Sequence, residues 1–223
     1  MGLALLRLLL DDARLHLVAA ISDSDLMEIA HGVPVLTREQ LGEAPAFDIA
    51  VDFSQPEGFD AILSLCRSRR AALVSGTTGL SPAQWEAMQG AGAEIPVLWA
   101  SNFSLGVVVM ADIVRRAARS LPDWEIRIVE THHVHKKDAP SGTAISLAGA
   151  VADGCGRQPE ILSLREGEAV GEHVVRFAGA GEVLELSHSA SDRDIFARGA
   201  LTAAVALFGQ PAGRYQFADL VLR

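Results

Sequence analysis

Three of the chain's seven histidines and both of its lysines fall inside one stretch, Glu130-Thr131-His132-His133-Val134-His135-Lys136-Lys137-Asp138-Ala139-Pro140-Ser141-Gly142-Thr143-Ala144. Histidine can give or take a proton near neutral pH, and a lysine ammonium can stabilise a carboxylate or developing negative charge. The chain otherwise relies on arginine, 17 times, so a lysine pair in this one place points to a need for a compact ammonium rather than bulk charge. Pro140 pushes Ala139 out of helical geometry, and a helix is expected to open at Ser141-Gly142-Thr143, offering backbone N–H groups and two hydroxyls to an anion. These parts could donate a proton to a small anionic substrate. The plain alternative is a solvated basic loop. Zinc is not favoured, because the chain has neither H-E-x-x-H nor a paired C-x-x-C, and no metal is expected.

The elements that must position these residues fall into two styles. Over the first hundred residues strand-like and helical segments alternate. A helix is expected at Leu3–Leu10 and a strand at Leu15–Ile21, which ends at Ser22-Asp23-Ser24-Asp25. A strand over 48–53 runs into Ser54-Gln55-Pro56-Glu57, with capping-box spacing and Pro56 in the first turn of a helix ending near Cys66. Another strand over 71–75 leads through Gly76-Thr77-Thr78-Gly79 to a second start signal, Ser81-Pro82-Ala83-Gln84. A further strand covers 95–100. Continuous apolar strands in β-α succession predict a parallel sheet with helices on both faces and functional loops at its carboxyl ends.

Beyond Asn102 a long helix over 105–120 is expected to bury Val107, Met110, Ile113, Val114 and Ala117 and to leave Arg115, Arg116 and Arg119 to solvent. Strands follow from Trp124 and over 173–178 and 183–188, then a helix over 195–208 stopped by Gly209. This middle part reads as an α+β unit with a mixed or antiparallel sheet, inserted before a final helix that returns to the first domain. The expected division is 1–103 with 194–223, and 104–193.

Composition narrows the classes. With 28 acidic against 19 basic residues and a net charge of −9, the chain lacks the clustered positive charge of a nucleic-acid binder. The run Leu3-Ala4-Leu5-Leu6-Arg7-Leu8-Leu9-Leu10 is too short to span a bilayer and carries an arginine. It also lacks a signal peptide's basic leader and small-residue cleavage site. A soluble cytoplasmic protein is expected, with Cys66 and Cys155 as ordinary reduced thiols.

The 130–144 stretch resembles the signature E-x-H-H-x-x-K-x-D-x-P-S-G-T-A of the 4-hydroxy-tetrahydrodipicolinate reductase (dihydrodipicolinate reductase) family, and every fixed position is met. Asp52-Phe53-Ser54-Gln55-Pro56-Glu57, Gly76-Thr77-Thr78-Gly79, Ala100-Ser101-Asn102-Phe103-Ser104-Leu105-Gly106 and Arg193-Asp194-Ile195-Phe196-Ala197-Arg198-Gly199-Ala200 resemble the family in order and spacing. The resemblance implies a Rossmann-like nucleotide-binding domain with an inserted α+β substrate and oligomerisation domain. It implies reduction of a cyclic dicarboxylate imine with NADH or NADPH in lysine and diaminopimelate synthesis, and a homotetramer assembled through the central sheet. It assigns His132 as the general acid and Lys136 as the cation beside it. His133, Ser141, Gly142 and Thr143 would hold substrate carboxylates, whereas Lys137 matches no fixed position. Gly76, Thr77, Thr78, Ser101, Asn102 and Phe103 would lie near nicotinamide and ribose, with Phe53 and Arg193 also on the cofactor side. Ser22 and Asp23 follow the second family strand, where an acidic side chain binds ribose hydroxyls, and the absence of a basic neighbour there favours NADH.

The resemblance breaks at the start. The family opens with a strand and a loop of the form G-x-x-G-x-M-G that cradles pyrophosphate, and Met1-Gly2 matches only its last two residues. The first, central strand of the sheet is therefore expected to be missing, leaving two unpaired strand edges. Either the sequence starts at an internal methionine, the favoured reading, or the chain is a truncated relative. The competing functions are a non-catalytic remnant that keeps the oligomerisation and anion-binding domain, and a dehydrogenase of another small acid.

Overall fold

The computed structural model describes residues 1–22 and 32–222. They form two compact units, Met1–Phe103 with Phe196–Arg223, and Ser104–Ile195.

In the first unit α1 (Gly2–Leu10) is followed by β1 (Ala20–Ile21), β2 (Val35–Leu36), a 3-10 turn over Arg38–Glu43, β3 (Ile49–Asp52), α2 (Pro56–Arg69), β4 (Ala72–Ser75), α3 (Pro82–Ala91) and β5 (Pro96–Trp99). The chain returns at its end with β10 (Gly213–Tyr215) and α7 (Phe217–Val221). Strands β10-β5-β4-β3 make a four-stranded sheet and β1-β2 a separate two-stranded one, every pair parallel. Among the described residues no ladder joins β1 to β3, the place where the missing central strand was expected. The strand expected over 15–21 is two residues long, and among the described residues it pairs with β2 alone.

The core of this unit is Phe59, Ile62, Leu63 and Cys66 of α2 packed with Leu73, Met88, Ala91, Ile95 and Val97. A wholly buried Phe or Leu of this kind contributes about 1.5–3 kcal/mol. Ser81 caps α3 as expected, accepting from Gln84 N–H in a complete capping box. Ser54 does not cap α2. The N-cap is Gln55, Pro56 takes the first helical turn, and the Ser54 N–H turns back to Asp52 Oδ1 at 2.9 Å.

The second unit contains α4 (Leu105–Ser120), β6 (Glu125–His132), α5 (Gly142–Cys155), β7 (Glu160–Arg165), β8 (Gly171–Ala178) and β9 (Val183–Ala190), and it ends at the start of α6 (Asp194–Leu207). Its sheet has the order β7-β6-β8-β9. β6 and β7 run parallel, and the other pairs are antiparallel. Helices α4 and α5 cover one face, where Met110, Val114, Ala118, Leu147 and Val151 meet Ile126, Ile128, Val175 and Phe177. The backbones approach closely at Gly154, where a Cβ would stand 2.5 Å from the Arg115 carbonyl. Along α4 Ala118 is buried, Ala117 half-buried and Ile113 exposed, against the expectation that Ile113 and Ala117 belong to the core.

Candidate active site

β6 alternates as a half-buried strand must, so Ile126, Ile128, Glu130 and His132 all point to the helix-covered face. The first two are core. The last two carry polar chemistry into the same face at the carboxyl end of the strand. Register extends the row: Glu130 lies opposite Ser163 on β7 and His173 on β8, and His173 lies opposite His188 on β9. Glu130, His132 and His173 are all buried.

A buried carboxylate must find donors, and Glu130 has several. His132 Nδ1 contacts its Oε2. Its Oε1 accepts from both terminal nitrogens of Arg165 at 3.1 Å and from the Ser141 N–H at 3.3 Å. Burial alone would raise its pKa, but hydrogen bonds from Ser163, Arg165 and His132 outweigh that and hold it below the ordinary carboxylate value. For His132, burial lowers the pKa most, Glu130 pulls it up, and the cations of Lys136 and Arg165 push it down, leaving it below 6.5. Arg165 also donates to the carbonyls of Lys136 and Asp138, pinning the loop that follows β6. Lys136 Nζ donates to both oxygens of Asp138 at 2.8–2.9 Å.

Helix α5 starts where expected, with Ser141 as N-cap. The Ser141 hydroxyl is engaged inside the protein: it accepts from Ala144 N–H at 3.2 Å and lies 3.1 Å from His173 Nε2. At this helix opening Gly142 is exposed and Thr143 half-buried. His173 is pushed down to about 4, first by burial and then by the neighbouring His132, so it is neutral at pH 7. Its Nδ1 and that of His188 are buried without a hydrogen-bond partner. Glu130, His132 and His173 bring ligand-capable atoms within 4.8 Å of one another, yet the Glu130 oxygens already accept from His132, Arg165 and Ser141, which suits hydrogen bonding rather than a cation.

The first unit gathers the other candidates at the carboxyl ends of β3, β4 and β5. Asp52, buried, accepts from the hydroxyls of Ser75 and Thr77 at 2.8 Å each and from Ser54 N–H. Trp99 Nε1 donates to the Thr77 carbonyl at 2.8 Å. Gly76 is required by packing, because a Cβ there would meet the Phe53 ring at 2.3 Å. Thr77 and Phe103 are buried, and the Phe103 ring packs in tilted contacts with Phe53 and Phe217. Thr78 and Ser101 are exposed, Asn102 is half-buried, and Gly2 opens α1. Ser22 follows β1, its N–H bonded to the Leu36 carbonyl, while Asp23 lies outside the described residues. Arg193 is exposed in the second unit.

Sequence reasoning left Arg165, Ser163, His173 and Asp52 unassigned and gave Glu130 no role beyond its place in the motif. The period of two along β6 was enough to put Glu130 beside His132. Nothing in the local sequence around Arg165, in a strand not foreseen, marks it as their partner.

Comparison with known proteins adds independent findings. Residues 1–103 match the family model "Dihydrodipicolinate reductase, N-terminus", and residues 106–221 match "Dihydrodipicolinate reductase, C-terminus". A 4-hydroxy-tetrahydrodipicolinate reductase of Xanthomonas axonopodis pv. citri is 55% identical over 223 residues, covering 100% of this chain and 93% of the relative. The same-named protein of Xylella fastidiosa is 48% identical, with 100% and 94% covered. A dipicolinate-bound dihydrodipicolinate reductase from Paenisporosarcina sp. TG-14 superposes with a TM-score of 0.81 at 21% identity, covering 98% of this chain and 94% of that one, a likeness of fold. A diaminopimelate dehydrogenase of C. glutamicum shares the fold more distantly, at TM-score 0.60 and 13% identity over 100% of this chain and 93% of that one.

Proposed function

The chain belongs to the dihydrodipicolinate reductase family, and from that premise we propose that His132 and Lys136 carry its chemistry. The reaction is NAD(P)H-dependent reduction of 4-hydroxy-tetrahydrodipicolinate to tetrahydrodipicolinate, in lysine and diaminopimelate biosynthesis. The remnant reading is not favoured, since the chain spans 93% of its Xanthomonas relative.

The observation that carries the residue assignment is the polar end of β6: a buried imidazole held on a buried carboxylate, beside a lysine and a helix N-terminus. His132 donates a proton to the atom that gains electron density when the hydride is added, and the 4-hydroxyl leaves as water, so that one hydride and one proton enter and one water departs. Lys136, released from Asp138 by an incoming carboxylate, stabilises negative charge. His133, the N–H groups of Gly142 and Thr143, and Thr143's side chain hold the substrate carboxylates, whose charge suits a helix N-terminus. Ser141 contributes by setting the start of that helix.

The strand-end loops of the first unit fit a nicotinamide dinucleotide. Buried Asp52 ties the ends of β3 and β4 together, Gly76 leaves the tight backbone that Phe53 requires, and Thr78 and Ser101 are exposed with Asn102 half-buried. When bound, the cofactor supplies the hydride. Gly2, Ser22, Asp23, Phe53, Gly76, Thr77, Phe103 and Arg193 complete the cofactor side of the proposal, Thr77 and Phe103 through backbone groups. The Ser22-Asp23 pair supports NADH over NADPH.

No helix among the described residues is long and apolar enough to cross a membrane, which supports the cytoplasmic reading. The sheet face opposite the helices exposes Leu162, Leu164 and Val183, an apolar surface that supports assembly of a homotetramer through this sheet.

The test is oxidation of NADH and of NADPH by the purified chain with the imine substrate generated in place. Turnover is expected, with Lys136→Ala lowering kcat/KM by roughly 10²-fold through both parameters. A Lys136→Ala enzyme with normal kinetics removes Lys136 from the site.

A further inference from the structure

The geometry points to Glu130, buttressed by Arg165, as the positioning residue that fixes the proton-donating nitrogen of His132, so that Nε2 alone faces the substrate. This rests on the reading of His132 as the acid.

An ionised carboxylate can only accept hydrogen bonds. Since Glu130 is held ionised and its Oε2 meets His132 Nδ1, that nitrogen must carry a proton in the neutral imidazole as well as in the imidazolium. The proton that leaves is therefore the one on Nε2, and the tautomer that remains is the one already seated. The space beside Nε2 is kept by Gly171 on the neighbouring strand, where a Cβ would stand 3.1 Å from that nitrogen.

Arg165 does two things at once. Its two terminal nitrogens both donate to Oε1, which steers the imidazole to Oε2, and it also donates to the carbonyls of Lys136, Asp138 and its neighbour Leu164. The same Oε1 accepts the Ser141 N–H at the opening of α5. One buried carboxylate thus sets the angle of the acid, the loop carrying the lysine and the start of the anion-binding helix. The titratable and charged groups around His132 are Glu130 on its own strand, Arg165 on β7, His173 on β8, and Lys136 with Asp138 in the following loop. Only Glu130 favours the protonated imidazole among those acting on it directly.

The test uses the full chain, with nitrogen-15 spectroscopy of its histidines and pH profiles of turnover. In the unaltered protein neutral His132 is expected to be protonated on Nδ1. In Glu130→Gln its pKa falls, kcat at pH 7.5 drops by roughly 10²-fold with KM within about threefold, and the pH above which kcat declines moves lower. Glu130→Asp, which keeps the charge, restores that position of the profile in part. Gly171→Ala keeps every polar partner, and is expected to lower kcat without moving the profile.

A neutral His132 that carries its proton on Nε2 rather than Nδ1 in the unaltered protein overturns the inference. So does a Glu130→Gln enzyme that loses kcat, substrate affinity and thermal stability together with an unmoved profile, which is what a merely structural carboxylate would give. Should Glu130→Gln fail to fold, the tautomer of the unaltered protein and the Glu130→Asp profile decide the matter. If the unaltered protein binds dinucleotide and does not reduce the imine, the reaction reading fails, while the tautomer still decides the role of Glu130.

Discussion

Each unit ties its site loops to one buried carboxylate, and the two carboxylates keep different company. Asp52 accepts from hydroxyls and a backbone N–H, all neutral. Glu130 accepts from a guanidinium and an imidazole as well as a backbone N–H. Neutral donors hold geometry and leave the local charge balance alone, so Asp52 suits a loop that binds a cofactor whose reactive group is its own. Titratable donors couple geometry to proton affinity, which is what an acid operating near neutral pH requires. The difference teaches that burial alone does not distinguish the two carboxylates; the ionisable partners of Glu130 do, and the acid role proposed for His132 rests on them.

The comparison breaks most severely at His132. His132→Ala is expected to lower kcat by about 10²–10⁴-fold with little change in KM, and dinucleotide affinity measured by fluorescence should be untouched. An unchanged kcat would end the general-acid assignment and with it the contrast between the two units.

Asp52→Ala probes the other side. It leaves the buried Ser75 hydroxyl without its acceptor and the Thr77 hydroxyl with only the longer bond to the Ser54 carbonyl, at about 1–3 kcal/mol for an unpaired buried hydroxyl. Thermal unfolding should shift by several degrees and KM for NAD(P)H should rise, while the pH dependence of kcat stays where it was. A displaced pH profile would mean that Asp52 acts electrostatically too.

His173 sharpens the comparison through pH. An unfolded imidazole takes up a proton below about 6.5, while folded His173 resists until about 4. Stability from this group is therefore complete above 6.5 and lost as pH falls towards 4, by about 3 kcal/mol in all. Denaturant unfolding of His173→Gln should show a shallower loss across that window, and an equally steep loss would place the acid sensitivity elsewhere. The smallest effect belongs to the first unit, where Ser81→Ala removes the cap of α3 and should cost about 1 kcal/mol in the same experiment with no kinetic change.

Local features of both units were legible in the chain. The bounds of α4, the cap of α3 and the opening of α5 after Pro140 all follow from short-range rules, and each stands where those rules put it. The strand over 15–21 and the cap at Ser54 did not form as expected, because pairing and a competing carboxylate decided them. Ile113 was assigned to the core by periodicity, and it stands exposed while its neighbour Val114 and, one turn on, Ala118 fill the core.

By itself the sequence determined which residue types sit together between 130 and 144, the alternation that carries Glu130 and His132 to one face, and the parallel β-α succession of the first unit. Only the tertiary structure decided that Arg165, 35 residues away, closes on Glu130, that His173 lies opposite it, and that Thr77 gives its hydroxyl to Asp52. The physical reason is that hydrogen bonds across a sheet depend on strand order and register, which are set by how whole strands and helices pack and leave no mark in the residues beside them.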